Sequence, residues 1–201
     1  MAQANLKLSE EELALASDAS VMLLKNAVIE KVNLLFGRLS VAQPEVLRPL
    51  HRELEAALEV PAKISRGESY RALPYLVLDY PRYFRPHDVM AIRTMFWWGN
   101  FFSVTLHLKG NYREHFSDRI LQRRQQIGEN GFHACIAPEE WEHHFGEDNY
   151  LPVDLIEEDE WLELYRVRLF TKLSKQIPIG PLEKVEQQLL SVYAEFAEIL
   201  R

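Results

Sequence analysis

The sequence predicts an α+β fold: a mainly antiparallel sheet with a Trp-Trp-Gly-Asn β-hairpin at its centre, flanked by N-terminal helices and a C-terminal helix. Three observations carry this. Apolar residues recur at helical spacing through the first 60 residues and again after residue 181. Between them the pattern shifts to short runs rich in β-branched and aromatic residues. Within that middle stretch "RTMFWW" and "FFSVTLHL" flank the pair Gly99-Asn100, a turn signal. A chain of 201 residues suits one domain, with a helical part over 1–60, a sheet-containing part over 61–175 and a helix over 181–201.

Taken in order, Ser9 with Glu12 three residues on forms a capping box before "ELALAS". Asp18 opens a longer helix. Val21, Leu24, Val28, Val32 and Leu35 fall on one stripe, and Gly37 is the expected stop. A further helix runs through "EVLRPLHRELEAALEV", with Pro49 near its start or kinking it and Pro61 ending it. "KISRGESY" reads as a strand end and loop because of its Arg-Gly pair. "LPYLVLDYP" is apolar on both faces and fits a central strand. "RPHDVMAI" suggests one helical turn.

Gly99 as the first residue of a two-residue turn supplies a positive φ. In that register Trp98 faces Phe101 and Trp97 faces Phe102. Side-chain alternation then puts Trp97 and Phe102 in the core, and Phe96, Trp98 and Phe101 on the other face, where they need a cover or a ligand. After the hairpin, "NYREHFSDRILQRRQQIG" reads as one helix ending before Gly128, and "GFHACIAP" as a short strand. Residues 139–160 hold ten acidic side chains and no Lys or Arg. "DEWLELYRVRLFTKLSK" reads as a strand, since Trp161, Tyr165, Val167, Leu169 and Leu173 share a face at period two. Leu182, Val185, Leu189, Val192 and Phe196 form the inner side of the last helix.

The formal net charge of −7 disfavours a general attraction to nucleic acid. The one cysteine, Cys135, allows no internal disulfide and fits a reducing compartment. The N-terminus lacks the basic start and apolar run of a signal peptide, and no apolar run is long enough for a membrane span. A cytoplasmic, non-membrane protein is the expectation.

The segments "KISRGESYRALPYLVLDYPRYF", "AIRTMFWWGNFFSVTLHLKGNY", "WEHHFGEDNY" and "LFTKLSKQIPIG" together resemble a family of uncharacterised bacterial proteins of unknown function. The resemblance covers most of the chain from about residue 63 onward. It implies a small cytoplasmic bacterial protein and supplies no activity, cofactor or catalytic residue.

Candidate chemistry gathers around the hairpin. Arg66, Tyr75, Trp98, Ser103 and Thr105 are candidate ligand-binding residues: guanidinium forks match carboxylate or phosphate, and aromatic walls with a few polar groups line small-molecule pockets. His107, Asp79 and Arg93 are candidate acid–base residues, because an imidazole with a carboxylate partner moves protons near neutral pH. The bland alternative is a solvated polar strand face, with Asp and Arg satisfying each other. His133, Cys135 and His143 are metal-ligand types close in sequence, yet "EEWEHHF" lacks the spacing that puts two imidazoles on one helix face. No phosphate-binding glycine loop or serine elbow occurs, and no cofactor is implied. Arg113, Arg119, Arg123 and Arg124 are expected to pair with the acidic residues 157–160.

The expected function is a non-enzymatic binding or interaction module holding a small anionic ligand or a protein partner. Two alternatives stand beside it. One is a small acid–base or hydrolytic enzyme built on His107, Asp79 and Arg93. The other is a self-associating structural protein with Trp98 at a homodimer seam.

Overall fold

In the computed structural model the described residues are 6–201. The expected helical part begins at residue 1, and its first five residues lie outside that range. α1 (Glu10–Ser17) carries the capping box: Glu12 N–H donates to Ser9 Oγ at 3.1 Å and Ser9 N–H to Glu12 Oε2 at 2.7 Å. α2 (Ala19–Leu47) starts at Asp18, whose carboxylate accepts from Ser20 N–H at 2.8 Å. It runs straight through Gly37, the expected stop. Val32, Leu35, Phe36, Leu39 and Leu47 form one buried stripe across that point. Burying several such side chains outweighs the roughly 1 kcal/mol that a mid-helix glycine costs. A 3-10 turn (Arg48–Leu50) takes up Pro49, and α3 (His51–Leu58) follows.

The sheet then begins. β1 (Lys63–Tyr70) is a full strand where a strand end and loop were expected. It turns back through Arg71 and Ala72, both at positive φ, as a tight hairpin turn requires. β2 (Leu73–Phe84) lies second from the sheet edge and not at its centre. "RPHDVMAI" forms a turn and the start of β3 (Val89–Trp97) in place of a helical turn. β4 (Phe101–Lys109) completes the hairpin. Next come α4 (Asn111–Gln122) and α5 (Arg124–Glu129), two helices where one was expected. β5 (His133–Cys135), β6 (Tyr150–Pro152) and a 3-10 turn (Val153–Leu155) follow. α6 (Glu158–Val167), β7 (Phe170–Pro178) and α7 (Leu182–Ile199) end the chain. The sheet order is β1-β2-β3-β4-β7-β5-β6, with each pair of neighbours antiparallel. The fold is α+β.

The stretch read as one strand is thus a helix followed by a strand. Trp161, Leu164 and Tyr165 sit at i, i+3 and i+4 and turn one face inward, with Trp161 fully buried. Val167 and Leu169, which supported the period-two reading, are exposed at the junction.

The hairpin register also differs. Trp97 pairs with Phe101, Phe96 with Phe102 and Arg93 with Thr105. Three residues, not two, form the loop. Asn100 N–H donates to Trp97 C=O at 3.0 Å, with Gly99 at φ +73° third in that four-residue turn. A one-residue change of register exchanges the faces of one strand relative to the other. Phe96 and Phe102 therefore face the helices, their rings 4.9 Å apart, and half-buried Trp98 packs on that same core. Trp97 and Phe101 lie on the opposite face, 5.5 Å apart.

On the helix side, Leu76, Leu78, Ile92, Phe102, Val104, Leu106 and Leu173 pack with the inner stripes of α2, α3, α4 and α7. Val185, Leu189, Val192 and Phe196 of α7 are each buried there. Each side chain of this size contributes about 1.5–3 kcal/mol on burial. The arginines after the hairpin have partners other than residues 157–160. Arg119 pairs with Glu53 at 2.6 Å, and Arg123 donates to Ile199 C=O at 3.0 Å. Arg119, Arg113 and Arg124 also donate to the carbonyls of Leu200, Tyr165 and Ile156, respectively.

Among the described residues no helix covers the other face of the sheet. An irregular strap, residues 136–149, crosses it between β5 and β6. Ile136 N–H donates to Asn149 C=O at 2.9 Å, closing the strap at its base.

Candidate functional site

Cross-strand register decides which side chains share the strapped face. Asp79, Arg93, Thr105 and Ser174 stand in one row across β2, β3, β4 and β7. Lys63 of β1 opposes Asp79, and Ala91, His107 and Lys172 form the adjoining row. Directly opposed residues project to the same side. A seven-strand sheet thus brings four basic side chains, one acid and two hydroxyls from distant sequence positions onto one face.

Asp79 and Arg93 form a bidentate pair, Nε to Oδ1 at 2.7 Å and Nη2 to Oδ2 at 3.0 Å. Asp79 is buried, and both its oxygens are engaged. Arg93 Nη1 lies 3.0 Å from His143 Nε2. A guanidinium can only donate, so this ring nitrogen accepts and His143 is the neutral tautomer with its proton on Nδ1. Burial, reinforced by Lys172 and Arg93, holds the His143 pKa well below its ordinary value and agrees with that assignment.

His107 lies 3.1 Å from Glu140 Oε2, and Lys109 reaches Glu140 Oε1 at 2.8 Å. The Trp141 ring stands over His107 at 5.4 Å. Burial, then the charges of Lys172, Arg93 and Lys109, push the His107 pKa down to about 3. It is a neutral donor to Glu140 at ordinary pH.

Lys172 is 2% exposed. Its ammonium donates to the Glu142 carbonyl at 2.6 Å and sits 5.3 Å from the Tyr150 ring centre. Burial and the nearby Arg93 pull its pKa down to about 8. Thr105 and Ser174 hydroxyls bond each other at 2.7 Å. Tyr70 fastens the strap: its hydroxyl donates to Glu142 Oε2 at 2.8 Å and accepts from the backbone N–H of His143 and His144 at 2.8 and 3.0 Å.

Two spaces result. A small recess of about 10 Å³, enough for a single water, lies among Arg93, Thr105, His107, Trp141, His143 and Lys172. Beside it an open groove of about 390 Å³ is lined by Lys63, Arg66, Arg82 and Arg93, with Tyr75, Phe84 and Trp141 as its aromatic wall. Arg93, Phe84 and Trp141 border both spaces.

The structure distributes the sequence candidates as follows. Arg66, Tyr75, Asp79 and Arg93 line the groove. Thr105 and His107 line the inner recess. Ser103 is buried on the same face, opposite Met95. Trp98 is on the other side of the sheet, so the patch of Phe96, Trp98 and Phe101 does not form. His107 and Asp79 share a face but not a bond: His107 is held by Glu140 and Asp79 by Arg93. Among the described residues no three His, Cys, Asp or Glu side chains group to hold a metal ion. His133 stacks edge-on against Phe145, Cys135 points to Asn149 and His143 to Arg93.

Sequence reasoning missed Lys63, Phe84, Glu140, Trp141 and Lys172. For Lys172 a signal existed. In "LFTKLSK" it alternates with Leu173, so a correct β4–β7 pairing sets it beside His107. The strap residues carry no periodic pattern to place them.

No family model, curated protein or solved structure matches the chain. Among the described residues no helix is long and apolar enough to cross a membrane.

Proposed function

We propose that the protein is a non-enzymatic binding module whose ligand carries an anionic head and a planar or aromatic body, held in the groove between β1, β2, β3 and Trp141. The observation that carries this is the groove's charge. Four of its lining side chains are cationic, and its one carboxylate, Asp79, is already neutralised by Arg93. This occurs on a chain of net charge −7. Among the described residues Lys63 and Arg66 have no partner, and Arg82 spends only its Nε, on Pro61 C=O at 3.2 Å. Open guanidinium forks beside an aromatic wall suit phosphate or carboxylate on a flat scaffold.

The acid–base alternative draws less support. It requires a histidine paired with Asp79, while among the described residues the nearby imidazoles, His107 and His143, are neutral, buried and committed to Glu140 and Arg93.

Calorimetric titration with phenyl phosphate and with inorganic phosphate tests the proposal. Phenyl phosphate is expected to bind with a Kd of about 1 mM or below, and more tightly than inorganic phosphate. Arg66→Ala and Arg82→Ala should each weaken it several-fold. No heat with either probe, or equal affinity in both arginine variants and the wild type, overturns the proposal.

A further inference from the structure

Cross-strand register gives the groove a length and two unlike ends. Three successive rows of the strapped face line it: Lys63, Asp79 and Arg93, then Ser65 and Val77, then Tyr75 opposite Gly67. Rows on one face are two residues apart, and a strand rises about 3.3 Å per residue, so the first and third rows stand about 13 Å apart. Lys63 and Arg93 mark the cationic end, where Arg82 is anchored on Pro61 C=O. Arg66 flanks the groove from β1, the edge strand. Val77 in the middle row offers an apolar floor with no polar side-chain atom.

Tyr75 closes the far end. An added Cβ on Gly67 would lie 2.4 Å from Cε1 and Cζ of Tyr75 and 2.5 Å from its hydroxyl oxygen. The phenol therefore lies across the strand pair, with its hydroxyl end directly over the β1 backbone. Such a close approach needs a residue without a side chain beneath it. The Tyr70 ring backs the phenol edge-on at 6.2 Å, and Tyr70 is itself tied to the strap through Glu142. The hydroxyls of Tyr75 and Ser65 have no hydrogen-bond partner among the described residues, so both are available to a ligand.

We infer that the groove's ligand is elongate, with its anionic head at Lys63 and Arg82 within reach of Arg66, a body two rings long over Val77, and a second hydrogen-bonding group at its far end on the Tyr75 hydroxyl. This rests on the binding reading above and adds the ligand's length and its second polar group. A single ring carrying a phosphate ends short of Tyr75, whereas two rings in line span the three rows. Gly67 is a positioning residue, acting only through the Tyr75 ring that it lets lie flat.

Calorimetric titration with three probes tests this: phenyl phosphate, biphenyl phosphate, and the same biphenyl phosphate with a hydroxyl at the far para position. The wild type is expected to bind the hydroxylated biphenyl about threefold or more tighter than the plain one, as one added hydrogen bond gives, and both more tightly than phenyl phosphate. Tyr75→Phe keeps the ring and should bring the two biphenyl probes to equal affinity. Gly67→Ala should displace the ring and lose the same preference, with the far-ultraviolet spectrum unchanged. A wild type that binds both biphenyl probes equally overturns the inference, as does a hydroxyl preference that survives Tyr75→Phe. Retention of the preference in Gly67→Ala removes that glycine's positioning role. Phenyl phosphate binding without any hydroxyl preference overturns the length and the second polar group alone, whereas failure of all three probes to bind overturns the binding reading itself.

Discussion

Replacing Arg93 by Met isolates the contact on which the strapped face is built. In the wild type both Asp79 oxygens are bonded to Arg93, at 2.7 and 3.0 Å, and the carboxylate's side chain is 8% exposed. Arg93→Met keeps most of the aliphatic stem and removes both bonds. A buried carboxylate left without its partner costs about 3–5 kcal/mol. Lys63, directly across on β1, is able to swing toward Asp79, which sets the expectation near the lower end. The same substitution also removes the donor to His143 Nε2. Urea unfolding reads the loss directly. With a slope of about 2 kcal/mol per molar, the midpoint should fall by about 1.5 M or more. The double variant Asp79→Leu/Arg93→Met removes the orphaned charge as well, and should recover about 2 kcal/mol or more of the loss, because apolar replacements of a buried pair are often neutral. A loss below about 1 kcal/mol for Arg93→Met would refute the reasoning, since it would mean that Asp79 is solvated or otherwise partnered. A double variant no more stable than the single one would refute the assignment of the cost to the carboxylate.

Two further outcomes follow from the same structure. His107 is neutral when folded, with a pKa near 3 against 6.5 for the free side chain, so the unfolded chain takes up the extra proton and stability falls as pH drops below about 6.5. This group alone should cost about 1.6 kcal/mol between pH 6.5 and 5; His107→Gln should remove that share of the slope and leave the share of His143, whose pKa is also held low, and an unchanged slope would contradict it. Gly110 sits at φ +60° where an added Cβ would lie 2.1 Å from His87 O and 2.3 Å from Asp88 Oδ1, so Gly110→Ala should cost about 2 kcal/mol or more; Gly37→Ala, with open space around it inside α2, should instead stabilise by about 0.5–1 kcal/mol in thermal unfolding.

Much of the fold was legible because its signals are local. The Ser9–Glu12 box, the Asp18 cap and the inner stripe of α7 each announce themselves within a few residues. What escaped was set by tertiary choices. Gly99 marks the reversal, but whether the loop takes two residues or three is decided by how Phe96 and Phe102 pack on α2, and that choice sorts the aromatics between the faces. Residues 158–178 defeated a single-period reading because a helix and a strand meet at Val167 and Leu169, both exposed. The candidate site was only half visible. Arg66, Tyr75, Asp79 and Arg93 lie on neighbouring strands, and their grouping follows from alternation. Glu140, Trp141 and His143 come from a strap with no regular hydrogen-bond ladder, held by Tyr70 and Lys172 from far along the chain.

The binding proposal is tested most directly by nitrogen–proton correlation spectra recorded during titration with phenyl phosphate. The account predicts that the Trp141 indole N–H, the Arg66 and Arg82 Nε–H signals and the amides of Ser65 and Val77 move together along one saturating curve. Saturable shifts confined to other parts of the surface, or none in the groove, would contradict it.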